Sequence, residues 1–140
     1  MRLLLLTLLF GLGFAAAANA GDYAGEISAY RRAHGLSAVK ADGRLAAVAL
    51  QQAQAMASTG SVTHSAGGNF SSRVAPLRKS RAAENIGAGF LTFAEMLKQW
   101  KDSRGHRENL LMPGARRVGV ASVANSGSPY RKFWAMVITD

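Results

Sequence analysis

Near the C-terminus, Phe133-Trp134-Ala135-Met136-Val137-Ile138 is apolar at every position. Alternate side chains of a strand point to opposite faces, so Trp134, Met136 and Ile138 share one face and Phe133, Ala135 and Val137 the other. Such a strand needs cover on both sides. Upstream, Val118, Val120 and Ser122 alternate with small residues, and Asn125-Ser126-Gly127-Ser128-Pro129 supplies a turn. Together they predict a hairpin with a loop of about five residues.

Helical patterns come earlier. Asp22 to His34 places Tyr23, Ile27 and Tyr30 on one face and stops at Gly35. Asp42 can cap a second helix in which Leu45, Val48, Ala49, Gln52, Ala55 and Met56 keep helical spacing up to Gly60. Thr92-Phe93-Ala94-Glu95 is a capping box, opening a helix to about Asp102 with a core stripe of Phe93, Met96, Leu97 and Trp100. Residues 61 to 81 predict an irregular exposed segment with one helical turn at Phe70 to Leu77. The charges of Arg73, Arg78, Lys79 and Arg81 form either a solvated face or an anion-contacting rim. Helices first, antiparallel strands last and a doubly covered strand specify an α+β fold. It is a three-layer α-β-α sandwich, a small antiparallel sheet covered by helices on both faces. The chain length of 140 residues holds one such domain.

The first 20 residues follow another logic. Arg2 gives a positive start, Leu3 to Phe14 an apolar run, and Ala18-Asn19-Ala20 a small-x-small cleavage site. This predicts a signal peptide over 1–20, cleavage after Ala20 and a mature domain over 21–140, secreted or periplasmic. The apolar run is shorter than the about 20 residues of a membrane span, so the mature chain is not expected to be transmembrane. Lys and Arg number 17 against 8 Asp and Glu, and losing Arg2 leaves a charge of +8. A basic exported domain meets anionic envelope polymers or lipid headgroups, and nucleic acid is not an expected partner. With no cysteine, packing alone must hold what is expected to be a monomer.

Three histidines narrow the search for chemistry. His34 ends a helix beside Gly35 and suits a structural role. His64 lies in Ser61-Val62-Thr63-His64-Ser65, and His106 in Ser103-Arg104-Gly105-His106-Arg107. Glu84, in Ala83-Glu84-Asn85-Ile86-Gly87, is the only carboxylate between Asp42 and Glu95. Asn85 is expected to bond backbone and hold a turn at Glu84, and Arg107 and Asn109 to tie a loop at His106 to the sheet. Arg116-Arg117 would start a strand and discourage edge pairing. Two imidazoles and a carboxylate suit a divalent metal such as Zn²⁺, or they bond one another and fix the loops. A serine relay has only Ser65 and Ser103 close by in sequence, and no Gly-x-Ser-x-Gly elbow occurs.

His64 in a Thr-His-Ser setting, Glu84-Asn85-Ile86, Trp100-x-x-Ser103-x-Gly105-His106-Arg107-x-Asn109-Leu110-Leu111, Val118-Gly119-Val120 and Phe133-Trp134 occur in that order. Together they resemble the CAP superfamily, or SCP domain, in its bacterial exported branch, over about Tyr23 to Thr139. The resemblance implies an α-β-α sandwich with a surface cleft lined by two histidines and acidic residues. His64 matches the first family histidine, Glu84 the first glutamate and His106 the second histidine. Where the family has its second glutamate, Lys101-Asp102-Ser103 stands here, leaving Asp102 as the carboxylate at that place. The implied function is a binding or effector module for lipid or sterol, to which the charge adds anionic envelope polymer, or for a divalent metal with His64, His106 and Glu84 as ligands. The alternative is a metal-dependent or Ser-His-Glu hydrolase at the cell envelope.

Overall fold

The computed structural model describes residues 22–140, so the signal-peptide expectation lies outside the described residues. Helix α1 spans Tyr23–Ala33, with Asp22 Oδ1 accepting from the Gly25 amide at 2.8 Å. Strand β1, Lys40–Ala41, leads into α2, Gly43–Thr59, capped by Asp42 and closed by Gly60 in the left-handed region. Helix α3, Phe70–Val74, runs into a single 3₁₀ turn, Ala75–Leu77. Strand β2, Ala82–Ala88, precedes α4, Phe93–Asp102, which opens on the complete Thr92–Glu95 capping box. Helix α5, Arg104–Leu110, follows at once, and the chain ends in the hairpin β3, Arg117–Asn125, and β4, Arg131–Thr139.

The sheet order is β1-β3-β4-β2. Strand β4 pairs antiparallel with both β3 and β2, and β1 adds a two-residue parallel ladder to β3. As its two apolar parities require, β4 serves two cores. Trp134, Met136 and Ile138 pack with Ile27, Phe93, Leu97, Trp100 and Leu110 beneath α1, α4 and α5. Phe133, Ala135 and Val137 pack with Leu45, Ala49, Ala53 and Met56 of α2. Each large side chain so buried contributes about 1.5–3 kcal/mol. The alanines of α2 let it settle close to β3. A Cβ on Gly119 would lie 2.0 Å from the Ala46 nitrogen, so only glycine fits there.

Three local expectations need correction. The Glu84-Asn85 segment is strand β2 rather than a turn, and His106 sits on helix α5 rather than in a loop. The Arg116-Arg117 start of β3 does not border an open edge, because Lys40 of β1 pairs with Arg117.

Candidate functional site

Strand β2 is the far edge of the sheet, and consecutive residues on it face different layers. Ile86 joins the α2 core, and Glu84, two residues away, turns to the same side to meet the 61–81 segment. Asn85 faces α5. Its Nδ2 donates to the His106 carbonyl at 3.0 Å, and Asn109 Nδ2 donates to Asn85 Oδ1 at 2.9 Å. Asn109 also reaches the Glu84 carbonyl at 3.2 Å, and Trp100 Nε1 donates to the Ile86 carbonyl at 3.0 Å. Side chains of α4 and α5 thus satisfy backbone groups of this edge strand. Arg107, by contrast, turns to the Lys101 carbonyl at 3.0 Å and braces the α4–α5 junction.

The Glu84 carboxylate is 1% exposed and fully engaged. Arg73 grips it with Nη1 at 2.7 Å from Oε2 and Nη2 at 2.9 Å from Oε1, a two-pronged charge-assisted pair. The same guanidinium donates to the Gly68 and His64 carbonyls, fixing the loop that carries His64. Arg73 is itself only 4% exposed, so it is neither the solvated charge nor the anion-contacting rim that its segment implied. His64 Nδ1 meets Glu84 Oε1 at 2.9 Å while its ring stays 58% exposed, leaving Nε2 toward solvent.

His106 approaches from the α5 layer, with its ring centroid 6.5 Å from that of Trp100. Burial first, and the nearby His64 second, hold its imidazole below the ordinary value of 6.5. Its buried Nδ1 finds no hydrogen-bond partner in the protein. Such orphaned atoms are rare and concentrate where function imposes them. The two histidines thus flank β2, His64 through its bond to Glu84 and His106 through its carbonyl, which accepts from Asn85.

The other candidates lie elsewhere. Asp102 is 63% exposed and pairs with Lys98 at 2.5 Å. It borders a separate open concavity of about 420 Å³ with Phe90, Glu95, Gln99 and Ser103. Ser65 bonds Thr63 at 3.1 Å, and His34 Nδ1 meets the Tyr30 carbonyl at 3.0 Å. As a three-ligand site for a divalent cation, His64, Glu84 and His106 do not fit. The Arg73 guanidinium already stands against both oxygens of Glu84, and a dication would have to displace it. Among the described residues no three His, Cys, Asp or Glu side chains gather as a metal set. Arg73 escaped sequence reasoning because its partner lies on another element. A buried carboxylate's need for a counter-ion was the one available signal.

A doubly covered sheet with a His-Glu-His edge defines the class, and comparison with known proteins gives the family. Residues 25–138 match the sequence model of CAP, the cysteine-rich secretory protein family, and the chain belongs to it. It is 47% identical over 47 residues to the protein YkwD of Bacillus subtilis (strain 168), a stretch covering 34% of this chain and 18% of that protein. An extracellular SCP-domain protein of Bacillus anthracis superposes with a TM-score of 0.71 at 25% identity, over 84% of this chain and 38% of that one. An outer surface protein of Borrelia burgdorferi gives a TM-score of 0.74 at 18% identity, over 84% of this chain and 88% of that one. The chain thus spans well under half of the two Bacillus proteins. No helix among the described residues is long and apolar enough to cross a membrane.

Proposed function

We propose that this chain is an exported CAP-domain binding module whose β2 edge holds a polar group of a cell-envelope ligand between His64 and His106 without transforming it. The carrying observation is the Arg73–Glu84 grip. It commits the carboxylate at this edge to orienting the exposed His64 ring, and His106 Nδ1 nearby is left without a protein partner. Export is supported by the N-terminal pattern and by likeness to an extracellular protein and an outer surface protein. The excess of basic residues favours anionic envelope polymer over sterol or neutral lipid as the ligand.

Co-sedimentation of the purified protein with isolated envelope polymer tests the reading. Retention that is lost in His64→Ala and His106→Ala, with both variants still folded, is expected. Retention unchanged in both variants overturns it. Zn²⁺ calorimetry on the same proteins is expected to show no site shared by the two histidines. Near-stoichiometric binding abolished in both variants would restore a metal role.

The Glu84–His64 contact also favours a second reading, an envelope hydrolase. A carboxylate on Nδ1 fixes the tautomer whose Nε2 acts as a base. With Ser65 bonded to Thr63, the nucleophile in that reading is water. Turnover of an envelope ester or amide that survives His64→Ala eliminates it.

A further inference from the structure

At the opposite edge of the sheet, Lys40, Arg116 and Arg117 converge with Ser37 and Ala38 on a concavity of about 210 Å³. The backbone holds them there. The Lys40 amide donates to the Arg116 carbonyl at 2.9 Å, and the Arg116 amide to the Thr139 carbonyl at 2.8 Å. Lys40 and Arg117 are register partners, so two like charges stand side by side across the ladder, an arrangement unfavourable without an anion. Among the described residues none of the three cations forms a salt bridge.

Ser37 of this lining is also held from inside the fold. The Arg31 guanidinium is wholly buried and bonds carbonyls only. Nε donates to Ser37 at 2.8 Å, and Nη1 to Leu110 at 2.9 Å and Met112 at 3.0 Å. Its Nη2 has no partner. A buried cation without a carboxylate is costly, and this one is bonded to Ser37, which lines the concavity. Asp42 lies near enough for the charge of Arg117 to act on it. Its carboxylate, however, already caps α2 through the Arg44 and Leu45 amides.

We propose that this concavity is a binding site for a phosphate group borne on an anionic polymer, separate from the histidine cleft. Two guanidinium forks and an ammonium suit the several oxygens of a phosphate better than a lone carboxylate. The polymer is favoured over a membrane because, among the described residues, the exposed large hydrophobic ones, Leu50, Val62, Leu91 and Tyr130, all lie outside the lining. A surface without apolar anchors has nothing to insert among acyl chains.

The test titrates the purified protein with inorganic phosphate, polyphosphate and phosphatidylglycerol vesicles. Arg116→Gln/Arg117→Gln is compared with Lys98→Gln/Arg104→Gln, which loses the same charge from exposed helical surface. Polyphosphate binding is expected to weaken by about tenfold or more in the first pair and to hold in the second, since paired charge-assisted bonds are lost only there. Inorganic phosphate is expected to compete. Where the double variant fails to fold, Lys40→Gln carries the same comparison. Equal loss in both pairs would reduce the effect to net charge and overturn the site. Wild type binding no polyphosphate, inorganic phosphate binding as tightly as polyphosphate, or binding confined to vesicles overturns it too. Because the histidine variants are separate proteins, failure here leaves the cleft reading standing.

Discussion

The two edges of the sheet are finished by opposite means. The β2 edge is seven residues long, and Asn109 and Trp100 occupy its Glu84 and Ile86 carbonyls while the buried Arg73–Glu84 pair anchors the adjoining loop. The β1 edge is two residues long and carries exposed cations. Both devices prevent stray strand pairing. They differ in consequence. The capped edge ties Glu84, Asn85 and Arg73 into the fold, whereas the short charged edge leaves its cations without a salt bridge among the described residues.

Breaking the grip at the β2 edge is expected to have the largest effect. Arg73→Ala strands a buried carboxylate and should cost about 3–5 kcal/mol in urea unfolding, with Glu84→Gln in the same chain recovering part of it. Asn109→Ala orphans the Glu84 carbonyl and Asn85 Oδ1 and should cost about 1–3 kcal/mol. Lys40→Ala at the other edge, measured alongside, should stay within about 0.5 kcal/mol. Equal losses at Asn109 and Lys40 would erase the contrast.

The smallest effect is a pH slope. The folded state resists protonating His106, so the unfolded chain binds more protons as pH falls below 6.5. Its contribution is therefore complete above that value and is lost as the pH drops through it. Unfolding midpoints between pH 7.5 and pH 5 should decline through this group, and His106→Gln should flatten its share.

The main layers were legible because β4 writes both of its environments into its side chains, and α2 and α4 carry caps and periodic stripes. Strand β2 was not. Ala-Ala-Glu-Asn-Ile-Gly-Ala has little strand propensity, and pairing with β4 imposes its conformation. Helix α5 was hidden by Gly105 and by a polar sequence too short for a period. For the site, the sequence supplied His64, Glu84 and His106 as candidates. It could not place Arg73 against Glu84, a contact made between two elements. Nor could it show Asp102 turned away toward Lys98.

The strand on which both cores rest is also the last of the domain's described elements to leave the ribosome. Until residues 131–139 emerge, β2 has no neighbour in the sheet, β3 keeps only its two-residue ladder to β1, and the layer under α1 and α4 lacks Trp134, Met136 and Ile138. The helices can form early, but the domain closes only once β4 is in place. A domain that depends on one late strand for both of its cores has no half-built folded state to rest in, so its layers are gained or lost together.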